Sequence, residues 1–172
     1  MINVFISHPT PSNDQQDSFL ILLKELLAAE GLKPVNLGTS NYDFRKPLKP
    51  IKELIESCHG AIIIGLERHH SYIGYDNEQS VSKKETLHKF TTSPWIHIEG
   101  GMAYQAGLPL IILKEEKVFS EGILDPNNSD SYIFDFILDN NIEKLSENIK
   151  KIIESWIKEL NKTDPYNTNK NS

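Results

Sequence analysis

A three-layer α/β fold, with a central parallel sheet of five strands covered by helices on both faces, is the class this sequence predicts. Strand-like and helix-like patterns alternate along the chain, starting from "INVFIS". The runs "GAIIIGL" and "LPLIIL" are apolar without alternation, as strands buried on both faces must be. The length, 172 residues, is that of one ordinary domain with enough chain to bury a proper core. The sequence therefore predicts a single domain over 1–160, followed by a disordered polar tail over 161–172, "NKTDPYNTNKNS".

Strand one is "INVFIS", stopped by the turn-forming "HPTPSND". Phe19, Leu22, Leu23, Leu26 and Leu27 then recur at helical spacing, Ser12 and Gln15 resemble a capping box, and Gly31 is placed to end the helix. "KPVNLG" predicts a weaker second strand, and Leu48, Ile51, Leu54 and Ile55 a short helix starting near Pro47. "GAIIIGL" is strand three. Residues 67–92 are polar, rich in turn formers and without clear periodicity, which predicts a long loop: a lid or a disordered insertion. Ser93 is a good N-cap with Pro94 at the first helical position, and Trp95, Ile98, Met102 and Ala106 form an apolar stripe up to Gly107. Glu99 therefore sits on a helix. "LPLIIL" is strand four, "SEGILDPNNSDS" a loop, and "YIFDFIL" strand five, at an edge because Asp135 interrupts it. The last helix carries Ile142, Leu145, Ile149, Ile152, Ile153, Trp156, Ile157 and Leu160.

Composition narrows the partners. The net charge is -6 and no dense Lys/Arg cluster stands out, so a nucleic-acid surface is not expected. Cys58 is the only cysteine, which excludes an internal disulfide and a cysteine-based zinc cluster and fits a reducing compartment. No apolar segment approaches the roughly 18 to 20 residues needed to span a bilayer, and "MINVFISHPT" lacks the form of a signal peptide. A cytoplasmic protein with no membrane partner is the expectation.

In an open parallel sheet, ligands bind outside the carboxyl ends of the strands. The loops "HPTPSND" and "GTSNYDFRKP" and the segment ending at Ser93 would bring Ser7, His8, Asp14, Asp43 and Arg45 to one rim. Glu99, two turns into the next helix, would point into the same crevice. It is a carboxylate in uncharged company, and burying it without a partner would cost several kcal/mol. Either a loop cation pairs with it or it has chemical work to do. Trp95 reads as core and as pocket wall, His8 as a surface histidine or a polar substrate contact, and Asp43 and Arg45 as a mutual pair or a substrate rim. His69 and His70 are adjacent on the chain without a paired carboxylate motif, so no metal site is expected. Gly100 and Gly101 cost the helix roughly 1 kcal/mol each and let backbone or ligand approach closely.

Together, "VFISH" with the following Asp14, the helix ending "LAAEGLKPV", the strand "AIIIG" and Ser93-x-Trp95-x-x-x-Glu99-x-x-x-Ala103 resemble a Toll/interleukin-1 receptor (TIR) domain. The resemblance runs from about Asn3 to Leu160, and more narrowly is to the bacterial TIR-like proteins that cleave NAD. It implies a flavodoxin-like architecture, Glu99 as catalytic residue, Trp95 shaping the nicotinamide-ribose pocket, Ser93 in the pocket, and the Asp43–Arg45 loop bordering the substrate. It also implies NAD as substrate with no separate cofactor, self-association or TIR–TIR assembly, and a role in anti-phage defence. A second resemblance covers the same stretch: Glu99-x-Gly101-x-Ala103-x-x-x-Gly107-x-Pro109 is similar to the nucleophile segment of nucleoside 2-deoxyribosyltransferases. That family usually carries an Asp and a Gly-Thr shortly before the glutamate, where this chain has "TTSPWIHI". Both families share the flavodoxin-like architecture and cleave a ribosyl N-glycosidic bond with one glutamate.

Three functions follow. The first is an NAD nucleosidase, releasing nicotinamide with ADP-ribose or a cyclic product. A lone carboxylate suffices there, because the nicotinamide is already cationic and leaves neutral, so no second carboxyl group has to protonate it. The alternative is a nucleoside or nucleotide N-ribosyl hydrolase, or a 2-deoxyribosyltransferase-like enzyme. The third is a non-catalytic module that senses a nucleotide or docks a TIR partner.

Overall fold

The computed structural model describes residues 1–37, 48–127, 129–138 and 144–163. Five strands, β1 (Ile2–Ser7), β2 (Leu32–Val35), β3 (Gly60–Gly65), β6 (Leu110–Glu115) and β7 (Tyr132–Phe136), form one sheet in the order β2-β1-β3-β6-β7. Every pairing in it is parallel. Helices α1 (Asp14–Ala29) and α4 (Glu147–Thr163) cover one face, burying Phe19, Leu23, Ile153 and Trp156 against Val4, Ile6, Ile62 and Leu113. Helices α2 (Leu48–Glu56) and α3 (Pro94–Gln105) cover the other, against Phe5, Ala61, Ile63 and Ile112. This is the flavodoxin-like three-layer fold. All six residues of β3 are buried, which is why that run carries no alternation.

The two edge strands show the marks of edges. Pro34 lacks a donor and sits in β2, pairing with Val4 on one side only. Asp135 of β7 reaches back 3.1 Å to Lys114, which is buried at 4 % exposure and donates to the carbonyls of Glu116 and Val118.

Several local expectations are corrected. The N-cap of α1 is Asn13, whose side chain accepts from the Gln16 amide at 2.9 Å; Ser12 and Gln15 do not form the box. Gln16 takes the reciprocal part, its side-chain oxygen accepting from the Ser12 amide and hydroxyl. Gly31 does close the helix, at φ +76. On α3 the buried face is Ile96, Gly100 and Ala103, while Ile98 is exposed. The helix is apolar on more than one side, so packing decided which stripe turned inward. Leu145 is buried ahead of α4, and α4 runs to Thr163; Ile142, Pro47 and the rest of the predicted tail lie outside the described residues.

The largest departure is at residues 67–92, which form a ribbon of β4 (His69–Asp76) and β5 (Lys84–Thr91) in antiparallel register from His69 opposite Thr91 to Asp76 opposite Lys84. A two-stranded ribbon wetted on both faces needs no apolar alternation, so period-two patterning is absent from its sequence. Cross-strand ring contacts hold it instead. His70 stacks on Phe90 at 4.1 Å between centroids, and the Lys83 ammonium lies 4.1 Å from the Tyr75 ring centre.

Gly60 opens β3 where α4 crosses it. A Cβ there would run into Leu160 and come within 2.8 Å of the Trp156 ring and 3.2 Å of the Pro109 carbonyl. Gly60→Val is expected to cost about 3 kcal/mol by overpacking, read as a lower urea midpoint at unchanged slope.

Candidate active site

The strand order reverses direction between β1 and β3, and the carboxyl ends of that pair open the crevice where this fold binds ligands. Ser7 is the last residue of β1, paired in register with Ile63 of β3. It is 1 % exposed and faces α3, because Phe5, two residues back on the same side of the strand, packs against α2 and α3. Its hydroxyl donates to the carboxylate of Glu99. The structural alternative for Glu99, a loop cation, is not what the described residues supply: the partner is a neutral hydroxyl from the far side of the crevice.

Glu99 is half-buried, and burial pushes its carboxyl above the usual carboxylate range, with the Ser7 hydrogen bond opposing part of that rise. A carboxylate that is costly to ionise, held by one hydroxyl, attracts developing positive charge strongly. Ser7→Ala should raise the Glu99 titration midpoint further, since the donor favouring the charged form is lost. Carboxyl NMR would detect this, and an unchanged midpoint would show that the bond carries nothing.

Ser93 caps α3 at φ -69, its hydroxyl accepting from the Trp95 amide at 3.4 Å, with Pro94 following as expected. Trp95 lies one turn before Glu99, half-buried against the cluster of Phe5, Ile51 and Ala103. Of the two glycines after Glu99, Gly100 admits Ile123, whose Cγ1 would stand 3.0 Å from an added Cβ, and Gly101 faces open space. The close approach is thus by the short 3-10 turn Gly122–Leu124.

His8 follows Ser7. Its Nδ1–H donates to the Pro9 carbonyl at 2.9 Å, leaving Nε2 buried with its lone pair unmatched, and burial lowers its pKa. It is therefore a neutral acceptor at the carboxyl end of β1. Asp14 is exposed as the first residue of α1, a place that the positive helix end explains without a ligand. Asp43 and Arg45 lie outside the described residues.

Five side chains escaped the sequence reading: Gln16, Glu67, Glu115, Lys117 and Thr92. Gln16, fully buried, donates from its amide to the Glu67 carbonyl at 3.0 Å and to a carboxylate oxygen of Glu115 at 3.2 Å. That same oxygen accepts from the Glu67 amide at 2.8 Å, and Lys117 bridges Glu67 and Glu115. The network ties the segment leaving β3 to the end of β6, and Arg68 continues it by donating from its backbone to Thr91. Thr92, 7 % exposed, keeps an unpartnered hydroxyl just before the Ser93 cap. A polar residue inside a helix pattern gives no sign of burial until its distant partner is known.

A separate groove of about 500 Å³ lies between α4 and the strands β6 and β7, lined by Leu110, Tyr132, Lys151 and Trp156, away from Glu99. No helix among the described residues is long and apolar enough to cross a membrane.

No family model matches the chain, and no curated protein matches it. Among solved structures it is similar to a CMP N-glycosidase from Clostridium botulinum, BcmB, at 17% identity and a TM-score of 0.53, over 90% of this chain and 98% of that one. The likeness establishes the architecture: a flavodoxin-like α/β domain with the three-layer plan of that N-glycosidase. It lends no support to membership of the TIR domains.

Proposed function

We propose that this chain cleaves the N-glycosidic bond of a nucleotide, with Glu99 as the catalytic carboxylate. The observation that carries the reading is the Ser7–Glu99 pair at the β1/β3 crevice, a carboxyl group that burial holds above the usual carboxylate range, in a fold shared with a CMP N-glycosidase. As the bond breaks, its electron pair leaves with the base and positive charge builds on the ribose. Glu99 stabilises that charge, by attack on the anomeric carbon or as a counter-ion, and water then supplies hydroxyl to the sugar and a proton to the base. The products are free base and ribose phosphate. Trp95 covers the sugar–base junction from one turn away, and the neutral His8 accepts from a substrate hydroxyl or amino group.

One observation favours a second reading, NAD cleavage. The partner of Glu99 is a hydroxyl and not a second carboxyl group, and a cationic nicotinamide needs no acid to leave. Self-association and a defence role belong to that reading.

Purified protein incubated with CMP, other nucleoside monophosphates, nucleosides and NAD, with free base read by chromatography beside Glu99→Gln, separates the cases. Base released from a monophosphate and lost in the variant supports the first reading. Nicotinamide release alone transfers the claim to the second. A ligand that raises the melting temperature of both proteins without turnover would sink both and leave a binding module.

A further inference from the structure

The outward-facing rings on the β4–β5 ribbon form a second chemical feature, remote in kind from the carboxylate chemistry above. His70 on β4 lies opposite Phe90 on β5, and the ring contacts of Tyr72 and His88 with His70 and with each other place all four side chains on one face of the ribbon. Within this cluster His70 Nε2 stands 3.1 Å from His88 Nδ1. His70 is oriented by stacking on Phe90 at 4.1 Å and by a tilted contact with Tyr72 at 4.3 Å, and His88 meets the Tyr72 ring edge at 5.6 Å. His88 adopts φ 50 in the interior of a strand, a left-handed conformation that histidine, with Asn and Asp, takes more readily than other residues with a Cβ. The turn of its backbone carries its ring toward His70.

Two imidazole nitrogens on one metal ion, each at about 2.0–2.1 Å, are separated by about 2.9 Å at a right angle and about 3.3 Å at a tetrahedral one. The observed separation lies between those values. A water-exposed N–H···N bond contributes little net energy by itself, so both facing nitrogens can be given over to a ligand that takes two imidazoles. We propose that His70 and His88 are a two-imidazole site for a transition-metal dication such as Cu²⁺, Ni²⁺ or Zn²⁺, which clips the two strands of the ribbon together. The adjacent pair His69-His70, which the sequence brings to notice, is not the site: His69 is on the opposite face, and the second ligand comes from across the ribbon. Among the described residues no three metal-ligating side chains converge, so water completes the coordination. Binding uses the lone pairs of both facing nitrogens, so each ring carries its proton on the outward nitrogen, and a neutral ring shifts tautomer without net proton release.

The test titrates untagged, chelator-treated protein with Cu²⁺, followed by calorimetry and electron paramagnetic resonance. Expected are one ion per chain with two bound ring nitrogens, and affinity falling at least about tenfold in His70→Ala, because the second ligand no longer acts at high effective concentration. His88→Asn, which tolerates the left-handed backbone, should show the same loss with the circular dichroism unchanged, and His69→Ala should bind as the parent does. Equal affinity in the parent and the His70→Ala/His88→Asn double variant, or an equal loss in His69→Ala, would overturn the proposal.

Discussion

Replacing Glu99 by Gln should lower base release on the order of a thousandfold, as removal of a preorganised charge at a developing cation does, while leaving substrate binding nearly intact. Gln keeps the shape and still accepts from Ser7, so the loss would report the charge and not the packing. The pH dependence follows from the same carboxyl. Burial holds it above the usual range, so activity of the parent protein should fall on acidification at a higher pH than an exposed glutamate would show. An acid limb at an ordinary carboxylate position would contradict Glu99 as the acting group.

The stability of the same variant has a definite sign. At neutral pH the unfolded carboxyl is ionised and comfortable in water, whereas the folded one is ionised in a poor solvent, so folding carries a penalty that Gln removes. Glu99→Gln should therefore be more stable by about 1 kcal/mol at neutral pH, the usual scale of relieving a functional site. The advantage should shrink as pH falls through the raised folded midpoint and vanish below the unfolded one, where both states are protonated. Denaturant midpoints at two pH values read this directly.

The second large effect is expected at Gln16→Leu, about 3 kcal/mol of lost stability. Leu fills the volume but leaves the Glu67 carbonyl without this donor and the buried Glu115 carboxylate with one donor fewer beside Lys117 and the Glu67 amide, and a buried polar group deprived of its partner costs more than the bond contributed. Because that network anchors the segment from β3 toward the ribbon, hydrogen exchange should quicken at residues 66–68 more than in β1. A loss below about 0.5 kcal/mol would show that water replaces the amide.

The sequence by itself determined the three-layer fold, the five parallel strands with β7 at an edge, the Ser93 cap of α3 and the place of Glu99 on that helix. These rest on local physics: strands buried on both faces must be continuously apolar, and a capped helix start is written in adjacent residues. Only the tertiary structure decided which face of α3 turned inward and which group meets Glu99. Ser7 and Glu99 are 92 positions apart and Gln16 and Glu115 are 99 apart, so no local pattern joins them. The β4–β5 ribbon was illegible for a related reason. Its stability comes from cross-strand pairs of rings, and a strand without a buried face imposes no period on its sequence.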